Sequence, residues 1–567
     1  MAPEADPPRP LVAVIGSGLA GLASAYLLAH NGFRVHLYEK ATSLGLAQAS
    51  ISVTGAHRDA SDGNGKNGAS AYAANKSASL VMDVPMRSFF PEHYEHLAAL
   101  YSHLNIETHV ADNSISFSSY QQSTAAPPPT PYFSFSCYRI PFTDTVLSYP
   151  NLFSANVSPI TALMTVLGYL HFLLIVKYLS WTGKMRETLR DVTLDEFWER
   201  YSIRKEFVHG AFVPLFSGVC TCDLATLGQF PAIAILEYVC RAMPFGKMSF
   251  VTPGVQTVCD ALSEPVEQIF LNTTVTSVHA AAPDAVNARL PTPPLEMAMP
   301  TNPSTIVETL DGAQRHYDEV IFATQASHAA KILRKSRGAE TSAQQCELLE
   351  RFEYVKTLVT CHTDESLMPA DRSLWRCMNF FTHQENTTEP QRRTRPPGPT
   401  IRGKPTPGFP YETRATPTCS HYFNMSDNTL STTRGKQYIQ TTNPFILPDP
   451  QKTISTSWFD RVVVTADSAR AVEALHTVQG LNHLWFVGSW AWEGIPLLEG
   501  CVASSVDVVK SLVRGRPVTV PWLDSPAAVA MTAKKGKAED QARTFRLGIV
   551  GLFAALLVRL ALLRFHE

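Results

Sequence analysis

The chain has 567 residues, enough to build more than one core. Its 48 lysines and arginines against 50 aspartates and glutamates leave a net charge of −2, which gives no basic footprint for nucleic acid. Ten cysteines are scattered without a CxxC pair, and the opening MAPEADPPRP has neither the basic nor the apolar part of a secretory leader. Together these predict reduced thiols and a body facing the cytosol. Cys220-Thr221-Cys222 is the closest cysteine pair; it reads as small buried side chains, and no metal is predicted.

Residues 11–39 read LVAVIGSGLAGLASAYLLAHNGFRVHLYE. A β-branched apolar strand meets Gly16-Ser17-Gly18-Leu19-Ala20-Gly21, then a helical pattern, then a second strand ending at Glu39-Lys40. Each glycine has a reason in this setting. Gly16 permits the tight strand-to-helix turn, Gly18 lets the backbone approach a pyrophosphate, and Gly21 lets the helix pack closely on the sheet. Free N–H groups at the helix start hold phosphates. Glu39 follows Gly21 by 18 residues, where a carboxylate accepts hydrogen bonds from a ribose diol.

Farther along, residues 55–79 are rich in Gly, Ser, Asn and Ala and read as a flexible insert. Helical periodicity marks 94–104 and 194–201. Residues 159–181 form a long apolar run broken by Thr161, Thr165, His171 and Lys177, so either a core helix or a membrane-dipping one is predicted there. Proline-rich 281–304 interrupts a predicted hairpin, and 384–418 is a proline-rich, basic insert. Strand-like alternation appears in 354–361 and 437–442. His362 and Asp364 read as a polar turn pair, and Tyr422 and Asn424 as residues of a strand.

Residues 484–505, LWFVGSWAWEGIPLLEGCVASS, predict a strand, a glycine turn at Gly488-Ser489, a loop, and a helix opening near Glu499. A carboxylate at that position stabilises the helix dipole. Trp490 and Trp492 lie on the loop; they either line a substrate face or pack the loop. After a linker at 516–544, residues 545–565 (FRLGIVGLFAALLVRLALLRF) approach the roughly 20 residues a membrane helix needs. Arg559 sits near the C-terminal side, where it can snorkel. Lys534, Lys535, Lys537 and Arg543 precede the segment, which keeps the body cytosolic. A helix lying in the membrane surface is the alternative.

Four of these pieces carry a family resemblance: the 16–21 turn with Glu39, the segment Asn272-Thr273-Thr274-Val275, the strand YDEVIFAT at 317–324, and 484–505. In that order they resemble the flavin-containing amine oxidase superfamily, over roughly residues 10–515 outside the inserts. Segments 83–86, 94–104, 209–221, 362–369 and 485–500 are similar to a microbial subgroup of predicted NAD/FAD-binding, amine-oxidase-like proteins. That subgroup is often found beside enzymes resembling cyclopropane fatty acid synthases. The resemblance implies FAD held by Gly16, Ser17, Gly18, Leu19, Ala20, Gly21, Glu39, Lys40, Val275, Ala323, Thr324, Gly488, Ser489 and Glu499. It also implies hydride transfer from an amine or lipophilic substrate, with Trp490, Trp492 and Tyr422 as substrate-face candidates and no general base assigned.

The implied fold is α/β. A discontinuous Rossmann-type FAD-binding domain (10–54, 250–335 and 480–515) is interleaved with an α+β substrate domain (81–245 and 340–460), followed by the C-terminal hydrophobic helix. Two departures stand out. Leu44-Gly45-Leu46 supplies one glycine where the superfamily has two, and Gly488-Ser489 stands where it has Gly-Asp. Both keep open a non-catalytic FAD-binding scaffold or redox sensor. An NAD(P)-dependent dehydrogenase is disfavoured by the C-terminal segment.

Overall fold

The computed structural model describes residues 9–54, 79–120, 129–139, 146–151, 158–243, 246–281, 305–336, 342–383, 400–401, 404–405, 416–426, 436–513 and 517–524. Most of the inserts 55–79, 281–304 and 384–418, and the whole of 545–565, lie outside the described residues.

A five-stranded parallel sheet forms from β1 (Leu11–Ile15), β2 (Arg34–Tyr38), β3 (Gln268–Phe270), β4 (Glu319–Phe322) and β5 (Leu484–Phe486), in the order β3-β2-β1-β4-β5. β1, β5 and β4 after its opening Glu319 are apolar runs because a parallel sheet is covered on both faces. Helix α1 (Leu19–His30) buries ten of its twelve residues between this sheet and neighbouring helices, which include α4 (Leu498–Leu512). Ser505 Oγ donates to Ala20 O at 2.9 Å, tying α4 to the first turn of α1.

An antiparallel meander, Val275–Ala280, Thr305–Thr309 and Gln314–Tyr317, flanks the parallel sheet, with residues 282–304 between its first two strands. The YDEVIFAT segment, which reads as one strand, is divided. Tyr317 ends the meander and Glu319 begins β4. Between them Asp318 accepts from Leu11 N at 2.7 Å and donates its own N–H to Leu11 O at 2.9 Å. That pair pins β1 to the break.

The second large layer is an eight-stranded sheet in the order Thr453–Val462, Tyr354–His362, Ile439–Thr442, Thr418–Tyr422, Met378–His383, Ile115–Tyr120, Pro131–Arg139, Val146–Pro150. It is antiparallel except where Met378–His383 runs parallel to Ile115–Tyr120. Around it pack helices that include α2 (Glu95–His103) and α3 (Pro159–Trp181).

Among the described residues, α3 is long and apolar enough to cross a membrane. It has 23 residues, and its mean hydropathy reaches 1.9 over an 18-residue stretch. Val166, Phe172 and Val176 are buried on one face, while Ile160, Leu174, Tyr178 and Trp181 are 70%, 52%, 59% and 74% exposed on the other. The start of the predicted linker is docked rather than free. Pro521–Asp524 is helical, Trp522 is buried near Tyr26, and Thr519 N donates to Asn31 Oδ1 at 2.9 Å.

Candidate functional site

The strand-to-helix turn at the C-terminal end of β1 is built from three glycines with three different reasons. Gly16 has φ +103°, and a Cβ there would stand 2.8 Å from Ala323 O and 3.3 Å from Thr324 Cγ2. A Cβ on Gly21 would stand 1.9 Å from Gly16 O, so the turn closes on its own helix and not only on the sheet. Gly18 differs. Its φ of −65° and ψ of 176° suit any residue, and a Cβ there meets no protein atom within 4 Å. The first two glycines serve the fold; the third leaves room beside an α1 start that no side chain caps. Uncapped N–H groups and an open backbone approach are what a pyrophosphate needs.

Glu39 is buried, and its carboxylate accepts from Ser17 N at 3.0 Å, Ser17 Oγ at 2.5 Å and Ala41 N at 3.0 Å. Ser17 Oγ in turn accepts from Gly45 N at 2.7 Å. The single glycine of Leu44-Gly45-Leu46 is therefore the one that matters here: a Cβ at Gly45 would come 3.1 Å from Glu39 Oε2. A carboxylate has about four acceptor positions, and three are filled by the protein, leaving one toward a ribose hydroxyl. Glu39 holds the turn as well as facing a ligand. Thr273 N donates to Glu39 O and Asn272 N to Ala41 O, both at 2.9 Å, which brings the start of the Val275 strand beside the acid. Lys40 is exposed next to it.

At the other end, Gly488 has φ +155°, and both its N–H and its C=O are bonded to Ser504 Oγ, at 3.1 and 3.2 Å. Ser489 is half-buried after it. Leu19, Ala20, Ala323 and Thr324 complete the same end of the sheet. Gly16, Ser17, Gly18, Gly21 and Glu39 are thus brought together, as an FAD adenosine and pyrophosphate require. The residues present fit that group.

The substrate-face candidates do not converge. Trp490 is 4% exposed, donates from Nε1 to Thr324 O at 3.0 Å, and lies 4.8 Å from the Phe352 ring in a core with Leu475 and Phe486. It packs the loop. Trp492 is half-buried and lines a cavity of ≈ 220 Å³ between α4 and helix Ala466–Leu475, with His476, Asp507 and Ser511. Tyr422 donates its hydroxyl to Gln437 Oε1 and stands edge-on to Trp375 at 5.1 Å. Replacing Trp490 with alanine should destabilise the protein by about 3–5 kcal/mol, whereas Trp492→Ala should cost about 1 kcal/mol or less. Urea melts of the two variants, read side by side, check the difference.

Glu499 stands in the first turn of α4, the helix start its place in the sequence predicts, and serves a second helix as well. Its carboxylate accepts from His96 N at 2.8 Å and Leu97 N at 2.9 Å, so it caps α2, from a position in the first turn of α4. Burial pushes it up to about 7, outweighing those two bonds. His362 and Asp364 do serve a turn. Asp364 N donates to His362 Nδ1, and the Asp364 carboxylate accepts from Ser366 N and Asp449 N. Sequence reasoning passed over two arginines, Arg87 and Arg461; no local pattern marks either.

The sequence of residues 14–104 matches the model of an NAD(P)-binding Rossmann-like domain. No curated protein matches the chain. Among solved structures, an oxidoreductase from Methanosarcina mazei aligns with a TM-score of 0.50 at 12% identity, covering 88% of this chain and 100% of its own. A triple mutant of putrescine oxidase, redesigned in cofactor binding, aligns with a TM-score of 0.51 at 12% identity, covering 89% and 99%. Wild-type putrescine oxidase bound to putrescine aligns with a TM-score of 0.50 at 12% identity, covering 89% and 100%. Residues 14–104 are therefore similar to an NAD(P)-binding Rossmann-like domain. Over most of its length the chain shares the fold of putrescine oxidase and of the Methanosarcina mazei oxidoreductase.

Proposed function

We propose that the chain is an FAD-dependent oxidoreductase that takes hydride from an amine or lipophilic substrate while held at a membrane. The observation that carries the flavin part is the space at Gly18, which no protein contact explains, beside an uncapped helix and a buried Glu39. When bound, FAD supplies the hydride-accepting chemistry. The chain's own work is to hold and shield it. The first amides of α1 bind the pyrophosphate, Glu39 orients a ribose, and the strand opened by Val275 covers the adenine side. Ala323 and Thr324 wall the turn. Gly488 and Ser489, fixed through Ser504, support the flavin end, with a serine hydroxyl where the superfamily places a carboxylate.

The membrane part rests on the exposed apolar face of α3, with Tyr178 and Trp181 at one end as interfacial residues, and on the composition of 545–565. A second reading, a non-catalytic FAD-binding scaffold or redox sensor, is favoured by the divergence of Trp490, Trp492 and Tyr422.

The test is an absorbance spectrum of the full chain in mild detergent, before and after denaturation, followed by anaerobic addition of amines and unsaturated lipids. Released FAD and bleaching by one substrate class are the expected results. Bound FAD that no donor bleaches selects the scaffold, and a colourless protein that takes up no FAD ends the flavin reading. A chain recovered wholly in the soluble fraction of lysed cells ends the membrane reading.

A further inference from the structure

We propose that Arg87 and Arg461 form a binding site for an oxyanion, a carboxylate or phosphate group, beside the dinucleotide turn. The inference rests on the flavin reading only for the identity of its neighbour. Both guanidinium groups have a buried Nε with no hydrogen-bond partner. Arg87 makes one long contact, from Nη2 to Leu46 O at 3.5 Å, on the segment that closes over Glu39. Arg461 lies over Phe459, 5.6 Å from its ring centre.

Separate contacts carry the two arginines to the same place. Phe459 packs on a small core containing Met82, Val84 and Val359, and Arg461, two residues on, shares its face of the strand. Gln325, directly after Ala323 and Thr324, donates from Nε2 to Asp460 O at 3.1 Å. From the other side, Gln440 accepts from Met86 N at 2.7 Å and donates to Asp83 O at 3.0 Å, fixing the segment that ends in Arg87. Burial holds both guanidinium groups below their ordinary range, and Arg87 further lowers Arg461.

The acids nearby are already committed. Asp83 accepts from Ser50 Oγ at 2.9 Å and from Val255 N at 3.2 Å. Asp460 pairs with Lys356 at 2.8 Å, and Glu39 serves Ser17 and Ala41. Asp83 faces Arg87 and offsets part of its charge, but two half-buried guanidinium groups that repel each other outnumber that one carboxylate, and a fork of planar donors matches an oxyanion. The same pair repels a polycation. The substrate class narrows accordingly, from amines in general to molecules with an acidic group, such as a fatty acid or an amino acid. The same chemistry is present in the FAD pyrophosphate, so the ligand has two sources to separate.

The experiment compares full-length wild type, Arg87→Met and Arg461→Met by thermal melts with and without inorganic phosphate, and by FAD titration. Arg461→Met is expected to melt higher than wild type without ligand, because an uncompensated charge is gone, and both variants are expected to bind phosphate at least about tenfold more weakly. FAD affinity within about threefold of wild type assigns the oxyanion to the substrate. A loss of about tenfold or more in FAD affinity, with phosphate competing against FAD, assigns it to the cofactor. A phosphate response absent from wild type, or unchanged in both variants, overturns the site. A chain that takes up no FAD but shows the arginine-dependent phosphate response retains the site and loses only the flavin reading.

Discussion

Gly18→Val should leave the protein folded and strip it of FAD. The backbone at Gly18 is extended, so valine fits without strain, and a Cβ there meets no protein atom within 4 Å. The fold should lose only about 1 kcal/mol, the cost of a poor residue at the helix N-cap. The branched side chain occupies the approach to the α1 amides, so FAD affinity should fall more than about a hundredfold, or ~3 kcal/mol. Gly21→Ala should do the opposite in part. Its Cβ stands 1.9 Å from Gly16 O, which forces the turn apart and destabilises the chain with or without cofactor. Flavin fluorescence titration and a melt of each ligand-free variant separate the two effects. Wild-type FAD affinity in Gly18→Val would mean that the pyrophosphate sits elsewhere.

The contrast between these two glycines also marks how far the sequence could be read. The turn was legible because its chemistry is local: six consecutive residues between a β-branched strand and a helix, with an acid at the end of the next strand. Strand positions 354–362 and 439–442 were legible in the same way, from alternation within the segment. What joins them was not. The eight-stranded sheet sets Met378–His383 parallel to Ile115–Tyr120 across more than 250 residues of chain, and no local pattern encodes that pairing. Trp490 illustrates the loss at the level of one side chain. Its place on a loop before α4 is plain, but its direction is decided by Phe352 and by the Thr324 carbonyl. The two arginines are a further case, since neither is unusual until its partners are counted.

Glu499→Gln should be as stable as wild type near pH 5 and more stable near pH 8. The Glu499 carboxyl is drawn toward its charged form by two amide donors of α2 and away from it by burial, and burial prevails, giving a value of about 7. Between the ordinary 4.5 and that value the folded chain holds a proton that the unfolded chain has released. Stability from this group is therefore complete below about pH 4.5 and is lost as the pH rises through 7, by a few kcal/mol at most. Glutamine mimics the neutral acid and removes that slope. Glu499→Ala should behave differently again. It leaves the amides of His96 and Leu97 buried without an acceptor and should cost about 2–4 kcal/mol near pH 5, and less near pH 8, where it also removes the cost of the buried charge. Denaturant melts at a series of pH values decide between burial and capping. If Glu499→Gln weakens the protein more at pH 8 than at pH 5, the carboxylate is ionised in the folded chain and the two α2 amides, not burial, set its charge.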